Sequence, residues 1–455
     1  MILDFYFLFP IFVIFWNYFI KHFKIKSNYF LLLPHLILLI LSQFVFWNPS
    51  SLNEAWIFEN IISKNIFSFN IEALYFIAIL SGVYFLYFFF KSICSSLVLK
   101  EVFQLTVSFW IFILFISSNY PYFFMFFYFI LISINDFLMS FKGDFKIKNS
   151  INFSHFLLIF GGYFFYLRGL GIESPIFFIK FSDLVAQIGV GNSNQIASHF
   201  GFLLILIGFF IKFPNPLFYG FFEKNLIDNR NFDSFVFEYV VNPFALIVLF
   251  TRFFQPLIYK YLSNYNELIQ YFLIIILFCY FFIFLISRLN KRKEINFYYF
   301  GYMFFLVGIF NLEVAAHQAA LAFLSTLVFS ICLDRASKSL FSESSASSLV
   351  SRSKVFKYLF IINKMSILGF PFSIALFPTS IILFSIFLFN EYLFFGILFL
   401  FFLSIPLAMK KEYENFENES PHALGIDTSF FLISLFGIMT IYYTISTYYI
   451  MGKLV

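Results

Sequence analysis

The chain has 455 residues, of which 61% are hydrophobic and 12% charged. A soluble domain carries about 25% charged residues, so this chain cannot cover a water-facing surface of its own size. Its formal net charge of +5 therefore reads as loop bias in a membrane protein, not as a surface for nucleic acid.

Apolar stretches recur along the chain at the length of about 20 residues that spans roughly 30 Å of hydrocarbon as a helix. Period-2 alternation is absent, which argues against a β-barrel. Taken in order, the stretches are 2–20, 29–47, 71–90, 102–118, 121–141, 152–167, 198–219, 236–257, 269–287, 297–312, 315–333, 366–389, 392–409 and 428–450. They predict an all-α integral membrane protein of about fourteen spans. The first stretch has no basic segment before it and no small-residue cleavage site after it, so it is expected to be retained.

Loop charge tests this count. Of the 29 Lys and Arg residues, 22 fall after odd-numbered spans and 5 after even-numbered spans or in the C-terminal tail. The remaining two, Lys212 and Arg252, lie inside spans. Basic residues concentrate on the cytoplasmic side, which predicts both termini outside a cell inner membrane. The chain reads as one polytopic domain. Its expected parts are 1–100 (spans 1–3), 101–260 (spans 4–8), 261–410 (spans 9–13) and 411–455 (span 14).

The longest cytoplasmic connection, 334–365, contains the Ser-rich stretch Ser337 to Ser353 and is expected to be a flexible linker. The longest outer segment, 168–197, has room for a short interfacial helix. Its Gly169, Gly171, Gly189 and Gly191 do not make a dinucleotide fingerprint, because no strand precedes them. No Walker motif, catalytic triad or zinc spacing occurs. Cys94, Cys279 and Cys332 form no CxxC pair and lie in or beside apolar stretches, so neither a disulfide framework nor a thiolate metal site is expected.

Span 7 carries Lys212 in mid-span, followed by Pro214 and Pro216. Proline removes a backbone donor and clashes with the preceding turn, so the helix should break there. A lysine in mid-bilayer costs roughly 2.5–3.5 kcal/mol on insertion scales. It either snorkels along the kink to the interface or serves a site, and its coincidence with the break favours a site. Span 12 carries Gly369, Pro371 and Pro378 and should break too. The two breaks lie five spans apart, which makes spans 4–8 and 9–13 candidate inverted copies. Pro-interrupted segments at matching places in two halves point to a transport site. Further candidates for a proton pathway are Glu238 in span 8, Asp136 near the end of span 5, and Glu313 with His317 at the junction of spans 10 and 11. Glu313 and His317 would share one face of a continuous helix. For each of these taken alone, a place at the interface stays open. His35 and His155, near span ends, are expected at the interface.

Over residues 70–410 this pattern resembles the antiporter-like membrane subunits of respiratory complex I. It is most similar to subunit N of bacterial NADH:quinone oxidoreductases, and also to the D-type membrane protein of Mrp cation/proton antiporters. Five stretches carry the resemblance: "FNIEALYFIAILSG" (69–82), "IGFFIKFPNPLFY" (207–219), "NKRKEINFYYFGYMFFLVGIF" (290–310), "EVAAHQAALAFLSTLVF" (313–329) and "SILGFPFSIALF" (366–377). The resemblance implies two inverted five-helix units with broken helices 7 and 12, and no bound cofactor. It implies as partners the other membrane subunits of a multi-subunit respiratory or antiporter complex. Lys212 matches the family's span-7 lysine. The span-5 glutamate falls on Phe129, and Asp136 lies seven residues on, roughly 10 Å further along the axis. The span-8 lysine falls on Pro243 and the span-12 charge near Thr379. Residues 365–390 contain no Lys, Arg, His, Asp or Glu. The expected function is thus a subunit without a redox centre whose proton pathway is degenerate. Two other classes stay open: a polytopic cell-envelope enzyme similar to O-antigen polymerases, and a stand-alone secondary transporter.

Overall fold

A computed structural model of the chain describes residues 2–23, 29–48, 67, 69, 71–94, 99–139, 145–172, 180–188, 195–214, 236–289, 298–311, 313–343, 362–370, 373, 375–403 and parts of 435–446. These residues are nearly all helical, as the apolar runs predict; only Phe67 and Ser118 meet in an isolated bridge. Among them, four stretches are long and apolar enough to cross a membrane: Phe5–His22, Phe30–Trp47, Glu72–Ser92 and Val314–Asp334. Shorter apolar helices occupy most of the remaining windows. Large apolar side chains also face outward, among them Phe15, Ile196, Phe377 and Tyr392. An exterior this apolar is at home against lipid or another subunit.

The chain forms two compact units, 1–213 with 241–261, and 214–240 with 262–455. In the first unit Tyr29–Trp47 packs on Ile71–Cys94, and Leu99–Ser117 on Pro121–Met139. Pro121 opens its helix at the position where a missing N–H costs nothing. The closest pair is Phe145–Gly169 against Gln195–Lys212. Small residues make this possible. A Cβ on Gly162 would stand 2.8 Å from the Gly201 carbonyl oxygen, and one on Gly208 would stand 2.7 Å from Ile159 Cγ1. Small residues spaced along a helix let backbones approach in this way. The segment 168–197 holds a short helix, Phe181–Ile188, among its described residues.

Span 8 alternates helix types: π over Phe237–Val241, α over Asn242–Val248, and π over Leu249–Phe254. Each π turn precedes a proline, Pro243 or Pro256, by two residues. A proline ring clashes with the carbonyl four residues back and cannot hydrogen-bond to it. The wider turn relieves the clash. For Pro243 the carbonyl left without its helical donor is that of Tyr239, and the Tyr302 hydroxyl donates to it at 2.5 Å.

Three connections differ from expectation. The stretch 258–268, expected as a loop, is helical within Gln255–Leu289. Its polar residues are compatible with helix, and it contains no glycine. In the second unit Val314–Glu343 runs ten residues past the expected end of span 11 and takes in the start of the expected linker. Residues 344–361 lie outside the described residues. Span 12 begins early, with a helix at 362–368. That helix ends at Gly369, whose φ of 74° suits a glycine cap. There the Phe370 N–H reaches back to the Met365 carbonyl at 2.9 Å. The helix restarts at Leu376–Phe389. Pro378 falls in the first turn of this second piece, where proline is tolerated, so it marks the restart and not the break.

Candidate functional site

The site in the first unit is built on Asp136, on the Pro121–Met139 helix and 4% exposed. Lys212, the last residue of its helix, precedes the bend at Phe213 and Pro214. Its Nζ stands 3.1 Å from Asp136 Oδ2. The ~10 Å offset along the helix expected from the family register does not keep the pair apart, because the 195–212 helix ends at the level of Asp136.

Two asparagines hold the pair and a third supports them. Lys212 Nζ also donates to Asn152 Oδ1, and the Asn152 amide donates to Asp136 Oδ2. Asn242 Nδ2 donates to the other carboxylate oxygen at 3.2 Å. Asn242 Oδ1 accepts from Asn135 Nδ2 at 2.9 Å, and Asn135 Oδ1 accepts from Ser108 Oγ at 2.5 Å. The single hydroxyl proton of Ser108 is thereby committed, so in its 3.0 Å contact with Tyr84 the tyrosine donates. Every donor from Tyr84 through Ser108, Asn135 and Asn242 points toward Asp136. The string supplies the hydrogen bonds that a carboxylate would otherwise take from water, which is what a charge buried in a membrane requires.

One turn from Asn152, His155 Nδ1 lies 2.6 Å from the Gly208 carbonyl and Nε2 lies 2.9 Å from the Tyr128 hydroxyl. A carbonyl only accepts, so Nδ1 carries the proton and Nε2 accepts from tyrosine. His155 and His35 are each 1% exposed, so both rings are buried within the protein. Arg252, in the second π segment, interacts electrostatically with Glu72 at the start of Ile71–Cys94.

The other candidates are dispersed. Glu238 lies in the π segment 237–241, and its side chain is outside the described residues. Glu313 is exposed and precedes the first residue of Val314–Glu343, its carbonyl accepting from the His317 N–H at 3.1 Å. The His317 ring turns its Nδ1 to the Ile309 carbonyl at 3.4 Å. Glu313 thus acts through its backbone at a helix start, not on a helix face shared with His317. Thr379 is fully buried. Pro216 and Pro371 lie outside the described residues.

The asparagines escaped the sequence reading, since asparagine is frequent throughout this chain and forms no motif here. A usable signal was present: Asn135 adjoins Asp136, and Asn242 and Asn152 sit inside apolar runs that need no amide.

The chain matches no protein-family model, and no curated protein matches its sequence. Solved structures match its fold. One chain of respiratory complex I from Thermus thermophilus, solved with bound NADH, superposes with a TM-score of 0.69 at 11% identity, covering 100% of this chain and 98% of that one. A chain of the same organism's complex I, solved with bound aureothin, gives 0.61 at 12% identity, covering 98% and 97%. End to end, the fold of this protein is that of a chain of respiratory complex I.

Proposed function

We propose that this protein is a membrane subunit of a proton-translocating NADH:quinone oxidoreductase or a close relative, and that it carries no redox centre of its own. In this reading it crosses the inner membrane about fourteen times with both termini outside. It repeats five spans in opposite topology around the breaks of spans 7 and 12. Its partners are the other membrane subunits of the complex, and it binds no cofactor.

The observation that carries the reading is the Lys212–Asp136 pair, buried at the end of an interrupted helix within a fold shared over its whole length with complex I chains. A proton can pass from the Lys212 ammonium to the Asp136 carboxylate, leaving both neutral. The surrounding amides donate to the carboxyl in either state, so the hydrogen-bond frame need not be rebuilt. Amides neither take up nor release protons; the titratable groups beside the pair are His155, which interacts with Lys212, and Tyr128, which interacts with Asp136. In the second unit residues 365–390 offer no titratable group, so the pathway of this reading is shorter than one with a charge at span 12.

The test is affinity purification of the tagged protein in mild detergent, with mass spectrometry of what accompanies it. Recovery of iron–sulfur and flavin subunits in fixed proportion is the expected result. Recovery of the chain alone, or with sugar-transfer enzymes, overturns the reading. In the recovered complex, Lys212→Ala should lower the protons moved per electron.

A further inference from the structure

The second unit holds its own buried ion pair, on residues that the apolar runs place in a loop. Lys364 Nζ stands 2.9 Å from Asp334 Oδ1, and the two side chains are 7% and 0% exposed. The hydroxyl of Tyr298, the first residue of Tyr298–Ile309, donates to Asp334 Oδ2. Three helical pieces therefore meet at one carboxylate. Beside the pair, Asn363 Nδ2 donates to the Ser330 carbonyl at 3.0 Å and fixes the start of span 12 against the 314–343 helix.

Packing alone does not call for these charges. Exchanging a buried ion pair for well-packed apolar residues is often neutral or stabilising. The chain has 83 phenylalanines, and stacked or edge-on rings such as Phe304 with Phe323 and Phe401 join helices elsewhere in the second unit. Within a membrane an ionisable pair is by default a functional feature. The arrangement also repeats the logic of the first unit. In each case the lysine stands near the end of a helical piece, which stops before Phe213 in one case and before Gly369 in the other. An aspartate on a neighbouring helix meets it, and a neutral donor holds the carboxylate oxygen that the lysine leaves free.

We infer that Asp334 and Lys364 form a second proton-exchange site, with Tyr298 positioning the carboxylate. The inference rests on the proposed role in ion translocation. In the exchange the Lys364 side chain turns to align an N–H with Asp334 Oδ1, 2.9 Å away; that N–H bond breaks and an O–H bond forms on Oδ1, giving an amine beside a carboxylic acid with no change of net charge. Uptake of one further proton by the amine loads the site; its release returns the neutral pair. On the same helices Tyr299, Tyr302 and Cys332 are buried; Arg335 and Lys338 follow Asp334 by one and four residues, with side chains outside the described residues. The second piece of span 12, Leu376–Phe389, contributes no titratable group. The site stands in place of a charge that residues 365–390 lack.

The competing role is a clamp, a permanently ionised pair that only ties span 11 to span 12. Infrared difference spectroscopy separates the two, using the full chain in phospholipid vesicles with whatever partners it retains. On a step from mildly alkaline to mildly acid buffer, an exchange site gives a protonated-carboxyl C=O band. The band should disappear in Asp334→Asn and persist in Asp136→Asn. Lys364→Arg keeps the positive partner, but arginine does not surrender its proton. It should lose the band while keeping the wild-type thermal transition. A wild type without an Asp334-dependent band, or a Lys364→Arg variant with the wild-type band, overturns the inference. The readout does not depend on which subunits copurify, so failure of the complex I reading and failure of this site appear in different experiments.

Discussion

The two buried ion pairs are made of the same residue types and are held in different ways. Lys212 and Asp136 sit among amides: Asn152 bridges both partners and Asn242 holds the second carboxylate oxygen. Asp334 meets Lys364 on one oxygen and a phenol on the other. The first pair is also the less buried, with its lysine side chain 14% exposed against 7% for Lys364. An amide frame spreads the burden of a buried charge over several neutral groups, whereas the second pair leans more heavily on its two members. The units thus solve one problem, a charge out of water, with different degrees of redundancy.

That difference sets an order of sensitivity. Asp334→Ala should be the most damaging change, because it leaves a nearly dry lysine facing a void; breaking such a pair costs about 3–5 kcal/mol. Thermal unfolding in detergent measures it, and adding Lys364→Met should restore most of the loss. Asp136→Ala should fall at the low end, about 3 kcal/mol, since Asn152 still accepts from Lys212. If the two variants melted alike, the amide frame would have no protective effect. Asn242→Leu removes one hydrogen bond to a charged group and should cost about 1.5–3 kcal/mol. It should also weaken the advantage of the first unit, measurable as a greater sensitivity to Lys212→Met than in the wild-type background. The smallest effect is expected for Tyr302→Phe. It strips the Tyr239 carbonyl of the donor that replaces Pro243, about 1–2 kcal/mol, without touching either pair. A loss as large as that of Asp334→Ala would mean that the π segment, and not the ion pair, is the sensitive part of the second unit.

Much of this was legible in the sequence, and the misses have a common cause. Hydropathy located the helices because crossing hydrocarbon imposes a length that few other constraints mimic. Lys212 was legible because it interrupts an apolar run just before two prolines. Asp334 and Lys364 were not, because runs bounded by charged residues place every terminal charge in a loop by construction. Removing Lys364 from the cytoplasmic tally leaves 21 basic residues against 5, so the loop asymmetry survives the correction. Asp136 was visible as a charge but not as a partner of Lys212. Its distance depends on where the 195–212 helix stops, which spacing along one helix does not reveal. The π segments went unread although Pro243 and Pro256 marked them, since a proline inside a helix signals a disturbance without saying which kind.

The glycine seam between Phe145–Gly169 and Gln195–Lys212 has a mechanical consequence. With backbones meeting at Gly162, Gly201 and Gly208, neither helix can turn about its own axis without driving a side chain into the other. The two behave as one beam that carries Lys212, Asn152 and His155 together. Lys212 therefore cannot leave Asp136 by a shift of its own helix relative to Asn152. Separation of the charges falls to rotation of the lysine side chain or to displacement of the 121–139 helix.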